Sequence, residues 1–185
     1  MIARFLRGEL GGVDSVDPYV VALLFAGDRA DAAATIRSWM DRGRVVILDR
    51  YVYSNIAYQC SKLVEVEAIN ALKKWILDTE YGYFAIPRPD LSLFLDVPIG
   101  FVERKLREQR DGDDREYLHG AQDIHEASIE LQRRVRQTYL DAAREDATLH
   151  VVDCAGAEGN MASPDEIFAR IAACVAPLLE KRSNR

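Results

Sequence analysis

The sequence predicts an α/β fold in which a parallel sheet is flanked by helices. Three short apolar stretches, at 45–49, 91–96 and 149–153, alternate with longer stretches whose apolar residues recur at helical spacing. Strands and helices that alternate in this way form parallel sheets covered on both faces. Each short stretch also ends in an aspartate, and parallel sheets bind ligands beyond the carboxyl ends of their strands.

The helices are predicted from their end signals and their apolar spacing. The first long helix is predicted over 18–42, because Asp17 and Pro18 form a typical helix start. Glu166 lies three residues after Ser163, which predicts that the last helix begins with a capping box. Further helices are predicted at 64–79, 99–110 and 123–145.

Length and composition limit the classes of function. The length suits one domain over 1–185, with a polar, arginine-rich loop at about 107–121 as its lid. A net charge of −6, from 24 basic and 30 acidic residues, argues against binding of a nucleic-acid polymer. No apolar run approaches the roughly 20 residues that span a membrane, so we expect a cytoplasmic protein. The three cysteines include no Cys-x-x-Cys pair, which predicts reduced thiols rather than a zinc or disulfide framework.

The charged pair Asp49 and Arg50 follows directly on the first predicted strand. A guanidinium matches the oxygens of a phosphate, so Arg50 is a candidate phosphate ligand. Asp49 can order the arginine, hold a Mg²⁺-bound water or accept a hydrogen bond from a sugar hydroxyl. A local salt bridge at a strand end explains the same pair, and the residues alone leave both interpretations open.

Two further pairs are candidates for contact with a nucleotide. Phe25 and Arg29 are four residues apart, so a helix places them on one face, where a ring and a guanidinium can clamp a base. A core phenylalanine beside a surface arginine is the simpler alternative. Asn55 and Tyr58 share a face if a helix begins here, although Ser54 is also a credible helix cap.

The predicted lid carries three arginines, Arg107, Arg110 and Arg115. Guanidiniums on a closing loop can neutralise the charge of a transferring phosphoryl group. A solvated, charged loop explains the same residues. Beyond the lid, Glu126 either completes a capping box with Asp123 or lies near a bound Mg²⁺.

Five segments, taken in order, resemble the thymidylate kinase family. The likeness covers essentially the whole chain, and five ordered motifs are more specific than any one of them. The segments are LLFAGDR at 23–29, DRYVYSNIAYQ at 49–59, PDLSLFLDVP at 89–98, DIHEASIELQRRVRQTYL at 123–140 and LHVVDCAG at 149–156. The resemblance implies a P-loop NTPase-like nucleoside-monophosphate kinase fold, with the reaction ATP + dTMP giving ADP + dTDP.

For the base and sugar of dTMP, the resemblance implies roles for five residues in the first two of these segments. Phe25 would stack on thymine, and Arg29 would bond the edge of the base. Asn55 would touch the base, while Tyr58 would pack against the deoxyribose. Gln59 belongs to the same signature and is expected among the substrate-binding residues.

For the phosphates and the metal, the resemblance implies that Arg50 holds the dTMP monophosphate. Asp49 would face the sugar 3′-hydroxyl and the water shell of Mg²⁺, and Glu126 matches an acidic residue of the family after the lid. The residues expected to approach the ATP phosphates are Arg107, Arg110 and Arg115. The residues expected to border the adenine are Asp153, Cys154 and Ala155. The family is commonly dimeric, so a homodimer is a further expectation.

One part of the family's pattern has no counterpart in this sequence. No Gly-x-x-x-x-Gly-Lys-Ser/Thr loop occurs, and the family's N-terminal strands are missing from the match. The family's sheet has the strand order 2-3-1-4-5, so the three predicted strands would be its third, fourth and fifth. Either the sequence begins at an internal methionine of a longer protein, or the protein is a truncated kinase that binds dTMP without turnover.

Three other functions remain open at this point. The closest is another nucleoside-monophosphate kinase or a deoxynucleoside kinase, which competition between thymidine and dTMP would distinguish. The second is a non-catalytic, nucleotide-binding pseudoenzyme, which the missing phosphate loop favours. A generic α/β interaction protein leaves the five ordered motifs unexplained.

Overall fold

The computed structural model describes residues 1–12, 15–107 and 128–183. They group into two compact units, one formed from residues 1–12, 15–88 and 128–138 and the other from residues 89–107 and 139–183. In chain order the elements are α1 (Ile2–Leu6), α2 (Pro18–Asp41), α3 (Val52–Cys60), α4 (Val66–Leu77), a π-helical turn (Asp78–Tyr83), β1 (Ser92–Asp96), α5 (Ile99–Arg107), α6 (Ile129–Glu145), β2 (Leu149–Asp153), a 3₁₀ turn (Ala157–Gly159) and α7 (Pro164–Ser183).

Helix α2 begins and ends with the signals that the sequence carries. The Tyr19 backbone N–H donates a hydrogen bond of 2.8 Å to Asp17 Oδ1, and Pro18 occupies the first helical position. After Asp41 the chain leaves the helix, and Gly43 has a φ of 74°, a left-handed conformation that suits glycine. The predicted first long helix is therefore confirmed.

The core of the first unit lies between α2, α3 and α4. Leu72 and Ile76 are one turn apart on α4, and each is at most 1% exposed. They pack with Ile56 of α3 and Ala22 of α2 in one apolar cluster. An amphipathic helix is stable when its apolar face is covered, and these three helices cover one another. The helix predicted at 64–79 is confirmed as α4.

Helix α4 continues directly into the π-helical turn. Leu72, Ile76 and Glu80 follow one another at intervals of four residues, so the turn carries the buried face of α4 onward to a carboxylate. The Glu80 side chain is fully buried. A buried carboxylate is stable only with hydrogen-bond partners, and those partners define the candidate site described below.

Strands β1 and β2 form a parallel pair in the second unit. Their register places Asp96 opposite Asp153 at the carboxyl ends, and the strands predicted at 91–96 and 149–153 are confirmed. The Phe94 ring of β1 stacks on Tyr139 of α6 with 4.3 Å between the ring centroids. This contact holds the second half of α6 on the sheet.

Helix α7 packs against β2 and begins with the predicted capping box. The Ser163 backbone N–H and hydroxyl donate to Glu166 Oε2 at 2.8 and 2.7 Å, and the Glu166 N–H donates back to the Ser163 hydroxyl at 3.3 Å. Two of these bonds satisfy backbone N–H groups that have no partner within the helix, and the third joins the two side chains. The predicted start of the last helix is confirmed.

The predicted strand at 45–49 is wrong. These residues are not in a strand, and Val45, Ile47 and Leu48 are 57%, 90% and 42% exposed. Within the described ranges, β1 and β2 pair only with each other. An apolar run becomes a strand only when a neighbouring strand satisfies its backbone N–H and C=O groups, and none does so here. Asp49 therefore does not lie at the end of a strand.

Three other predictions lie partly or wholly outside the described residues. The first is the lid at about 107–121, of which all but Arg107 lies outside. The second is the capping box at Asp123 and Glu126. The third concerns two predicted helices, one ending at 110 and the other beginning at 123. The single domain with a lid stays a prediction. Among the helices that the structure describes, none is both long enough and apolar enough to cross a membrane.

Candidate nucleotide-binding site

The first unit contains a buried ion pair between Arg29 of α2 and Glu80 of the π-helical turn. Arg29 Nη2 donates to Glu80 Oε1 at 2.7 Å, and Arg29 Nε donates to Oε2. The Glu80 side chain is fully buried, and that of Arg29 is 14% exposed. Two parallel bonds fix the plane of the guanidinium as well as its position. Its Nη1 group makes no hydrogen bond within the described part of the chain.

Asn55 of α3 joins the same carboxylate. Its Nδ2 donates to Glu80 Oε1 at 2.9 Å and to the Ala22 carbonyl oxygen at 3.0 Å. Both partners are acceptors, so the amide turns its nitrogen toward them. The residue is 3% exposed, and its Oδ1 has no hydrogen-bond partner among the described residues. A buried acceptor in this state is costly until a ligand or water donates to it.

These three side chains form what we term the Arg29–Glu80–Asn55 network. It presents guanidinium donors from α2 and an amide acceptor from α3, both fixed by one buried carboxylate. The sequence predicted that Arg29 and Asn55 belong to one site, and the structure brings them onto the same oxygen. Their contact with a base stays a prediction.

Arg50 and Tyr58 also lie together in this unit. The Arg50 guanidinium carbon is 5.2 Å from the centroid of the Tyr58 ring, a cation–π contact. Arg50 has a φ of 64°, which is uncommon for a residue with a side chain, and such positions cluster at functional sites. Asp49 is exposed, and its carboxylate makes no hydrogen bond or ion pair to another described residue. The pair is therefore not the local salt bridge that the sequence left open.

Tyr51 ties the start of α3 to the chain beyond the π-helical turn. Its hydroxyl donates to the Pro87 carbonyl oxygen at 2.9 Å. Burial raises the pKa of Tyr51 to about 12, and the negative charge of Glu80 acts in the same direction. A phenol is protonated at physiological pH even without this shift, so Tyr51 remains a donor. It holds α3, and with it Asn55, beside the segment that carries Glu80.

Phe25 and Gln59 are the remaining predicted substrate-binding residues of this unit. Phe25 is half-buried on α2, one turn before Arg29. Gln59 is 1% exposed, and neither atom of its amide has a hydrogen-bond partner among the residues that the structure describes. Direct contact of Gln59 with a substrate stays a prediction.

The loop after β2 is built largely by backbone contacts. Arg170 Nη1 donates to the carbonyl oxygens of Asp153 and Ala155 at 2.6 and 2.8 Å, and the Ala155 N–H donates to Asp153 Oδ1 at 2.8 Å. The Cys154 side chain is 1% exposed, and burial raises the pKa of its thiol, with Asp153 and Asp96 adding to the effect. A ligand at this loop would therefore meet backbone atoms rather than the thiol.

The predicted phosphate and metal residues are only partly within the described residues. Arg110, Arg115 and Glu126 lie outside them, as does the side chain of Arg107. In the described ranges, no three carboxylate, histidine or cysteine side chains gather as a metal site. Mg²⁺ in kinases takes only one or two protein carboxylates, with phosphates and waters completing its shell. The exposed, unpartnered Asp49 fits that requirement.

Glu80 is the residue of the site that the sequence analysis missed. A signal was present, because the interval of four that joins Leu72 to Ile76 reaches Glu80 next. A carboxylate on the apolar face of a helix is rarely buried without a charged partner. That position predicts an internal ion pair, although the sequence alone does not identify Arg29 as the partner.

Parallel strands that end in aspartates and pack with helices define an α/β fold. A family model described as thymidylate kinase matches residues 1–162. The chain therefore belongs to the thymidylate kinase family, and its fold class is that of the P-loop NTPases.

Individual relatives agree with this assignment. The chain is 36% identical to a thymidylate kinase of Mycobacterium tuberculosis over 141 residues, which is 76% of this chain and 63% of the relative. It is 34% identical to a probable thymidylate kinase of Pyrococcus abyssi over 155 residues, 83% of this chain and 63% of the relative. It is 32% identical to a thymidylate kinase of Bifidobacterium longum subsp. infantis over 177 residues, which is 94% of this chain and 66% of the relative. The chain thus spans slightly less than two thirds of the length of these relatives.

Proposed function

We propose that the complete protein carrying this sequence is a dTMP kinase, which transfers the γ-phosphoryl group of ATP to dTMP and releases dTDP. The observation that carries the proposal is the Arg29–Glu80–Asn55 network. Family membership and the names of the relatives support the same reaction.

The network is complementary to the imide edge of thymine. Thymine offers a carbonyl acceptor at O4 and an N–H donor at N3. Arg29 has unused guanidinium donors for O4, and Asn55 Oδ1 is a buried acceptor without a partner among the described residues. Cytosine reverses this pattern, because its N4 amino group is a donor and its N3 an acceptor. Phe25, one turn from Arg29, would stack on the ring.

Arg50 and Tyr58 support a site for the monophosphate and the deoxyribose. The guanidinium of Arg50 is held at the Tyr58 ring by the cation–π contact, so both groups would meet one nucleotide. Asp49, next to Arg50, would face the 3′-hydroxyl and hold waters of Mg²⁺. Bound Mg²⁺ would supply neutralisation of phosphate charge. The protein's own part in such a reaction is mainly positioning and electrostatic stabilisation.

The ATP side of the proposal rests on the second unit and on the lid. The loop Asp153–Ala155 would border the adenine through its backbone, which Arg170 holds in place. The arginines proposed to approach the ATP phosphates are Arg107, Arg110 and Arg115, and Glu126 is proposed to lie near the metal. A homodimer and a cytoplasmic location complete the proposal at the level of family resemblance.

A coupled assay of ADP release tests the function. The complete gene product is given ATP and Mg²⁺ with dTMP, dCMP or thymidine as acceptor. The proposal predicts turnover with dTMP that greatly exceeds turnover with the other two. Turnover of thymidine in preference to dTMP would make the protein a nucleoside kinase. Binding of dTMP without any ADP release would make it a pseudoenzyme.

A further inference from the structure

We propose that Glu80 sets the nucleobase specificity of the site by holding Arg29 as donor and Asn55 as acceptor. This inference rests on the proposed dTMP site and adds a residue that touches no substrate. The Glu80 side chain is fully buried, and its carboxylate accepts two bonds from Arg29 and one from Asn55. Glu80 is therefore a positioning residue.

On the arginine side, the carboxylate determines which donors remain. Glu80 takes Arg29 Nε and one hydrogen of Nη2. A guanidinium has five N–H donors and no acceptor, so the hydrogens left on Nη1 and Nη2 offer only donors to a ligand. Because the ion pair is bidentate and buried, these donors have one fixed direction. A ligand group that is itself a donor is repelled there.

On the asparagine side, the carboxylate determines how the amide is turned. Nδ2 of Asn55 faces two acceptors, Glu80 Oε1 and the Ala22 carbonyl oxygen. Reversing the amide would set Oδ1 against both acceptors and lose two buried hydrogen bonds. The reversed form is therefore strongly disfavoured, and Oδ1 stays the acceptor. Among the described residues, Arg29 is held by this carboxylate alone, and Asn55 takes one of its two acceptors from it.

A carboxylate at position 80 can hold Arg29 as donor and Asn55 as acceptor, and an amide cannot. All of its hydrogen-bonding sites accept, whereas a glutamine side chain has one accepting and one donating end. The amide nitrogen introduced by Glu80→Gln would face an N–H of Arg29 or of Asn55 in either orientation. One contact is lost and the network no longer has a single arrangement. The volume and shape of the side chain are nearly unchanged.

The test is the effect of Glu80→Gln on the binding of dTMP, dUMP and dCMP to the complete gene product, measured by calorimetry. dTMP and dUMP share the imide edge, so the affinity of both should fall by about tenfold, the worth of one well-placed hydrogen bond. The affinity for dCMP should stay within about twofold of that of the unaltered protein. The base edge of dCMP does not match Arg29 as donor and Asn55 as acceptor, so it gains nothing from their arrangement. An equal loss for all three nucleotides, or no loss, would overturn the inference.

Asp78→Asn is the matched control, because it makes the same chemical change on the same turn. Asp78 is exposed and, among the described residues, pairs only with Lys74, so all three affinities should stay within about twofold of those of the unaltered protein. If the unaltered protein bound dCMP as tightly as dTMP, the proposed function itself would fail. If it prefers dTMP and Glu80→Gln keeps the full preference, only the role of Glu80 fails.

A measurement on the unaltered protein decides the matter if Glu80→Gln does not fold. Both side-chain amide protons of Asn55 donate to buried acceptors, so NMR should show slow exchange with solvent for both in the ligand-free protein. Addition of dTMP should leave these two protons in place. Fast exchange, or a ligand-induced loss of their hydrogen bonds, would overturn the proposal.

Discussion

The Arg29–Glu80–Asn55 network and the loop after β2 hold polar groups in two different ways. In the network, charged and amide side chains from separate helices meet in a buried position, and each depends on the others. In the loop, a half-buried arginine and a series of backbone bonds fix a short segment at the end of a strand. Removal of Glu80 or Arg29 from the network leaves the other charge without its counter-ion, whereas the loop loses one bond among several.

The difference indicates where substitutions should be severe. A buried ion pair contributes little net stability when complete, but it is strongly destabilising when one partner is removed. Backbone geometry is instead sensitive to added volume where two segments approach closely. The following predictions test this contrast from the largest expected effect to the smallest.

Glu80→Ala should cause the largest loss of stability. It leaves the Arg29 guanidinium without its counter-ion and Asn55 without one of its acceptors, so the free energy of unfolding should fall by about 3–5 kcal/mol. Denaturant unfolding followed by circular dichroism measures this. The exposed ion pair of Asp78 with Lys74 is the control, and Asp78→Ala should cost less than about 1 kcal/mol. Equal losses of unfolding free energy for Glu80→Ala and Asp78→Ala would contradict the claim that removing a partner is severe only in the buried network.

Gly156→Ala should affect the loop through volume. A Cβ atom at Gly156 would lie 3.1 Å from the Cα of Ala162, a backbone atom that cannot turn aside. The expected loss in unfolding free energy is about 1–3 kcal/mol. Gly27→Ala makes the same change on α2 with nothing within 4 Å, and should stabilise by up to about 1 kcal/mol. A loss at Gly27 that matched the loss at Gly156 would exclude crowding as the cause.

The capping box of α7 should give the smallest effect, visible as a dependence on pH. The bonds from the Ser163 backbone and hydroxyl hold the pKa of Glu166 below its usual 4.5. A carboxyl group whose pKa is lower in the folded state stabilises the fold at pH values above its unfolded-state pKa. That contribution is lost as the pH falls through the folded-state pKa. Ser163→Ala should therefore reduce the decline in urea midpoint on acidification below pH 4.5. This variant keeps the backbone N–H bond to Glu166, so an unchanged dependence of the midpoint on pH would show that the hydroxyl bond does not contribute.

Two apolar runs show how far the fold could be predicted. The run at 92–96 and the run at 45–49 have similar composition and each ends in an aspartate, yet only the first is a strand. The first pairs with β2, while the second has no strand beside it among the described residues. Composition predicts a tendency to be buried, but pairing depends on a second segment that local sequence does not specify. Helix ends were predictable because Asp17, Pro18 and Ser163 act on adjacent residues.

Arg29 and Asn55 of the candidate site were predictable, but Glu80 and the hydrogen bonds that join the three side chains were not. Arg29 and Asn55 were predicted from the family signatures, and the structure places both against one carboxylate. Glu80 lies 51 residues beyond Arg29 and 25 beyond Asn55, so no local pattern joins them. The interval from Ile76 predicts only that Glu80 is buried. Which residues pair with Glu80 is decided by the packing of α2, α3 and α4 with its π-helical turn.

A crystal structure of the complete protein with dTMP tests the central claim most directly. The account predicts thymine N3 within hydrogen-bond distance of Asn55 Oδ1 and thymine O4 within the same distance of the Arg29 guanidinium, with Glu80 still holding both residues. A base bound elsewhere, or an Asn55 amide turned to present its nitrogen to the ligand, would contradict the account.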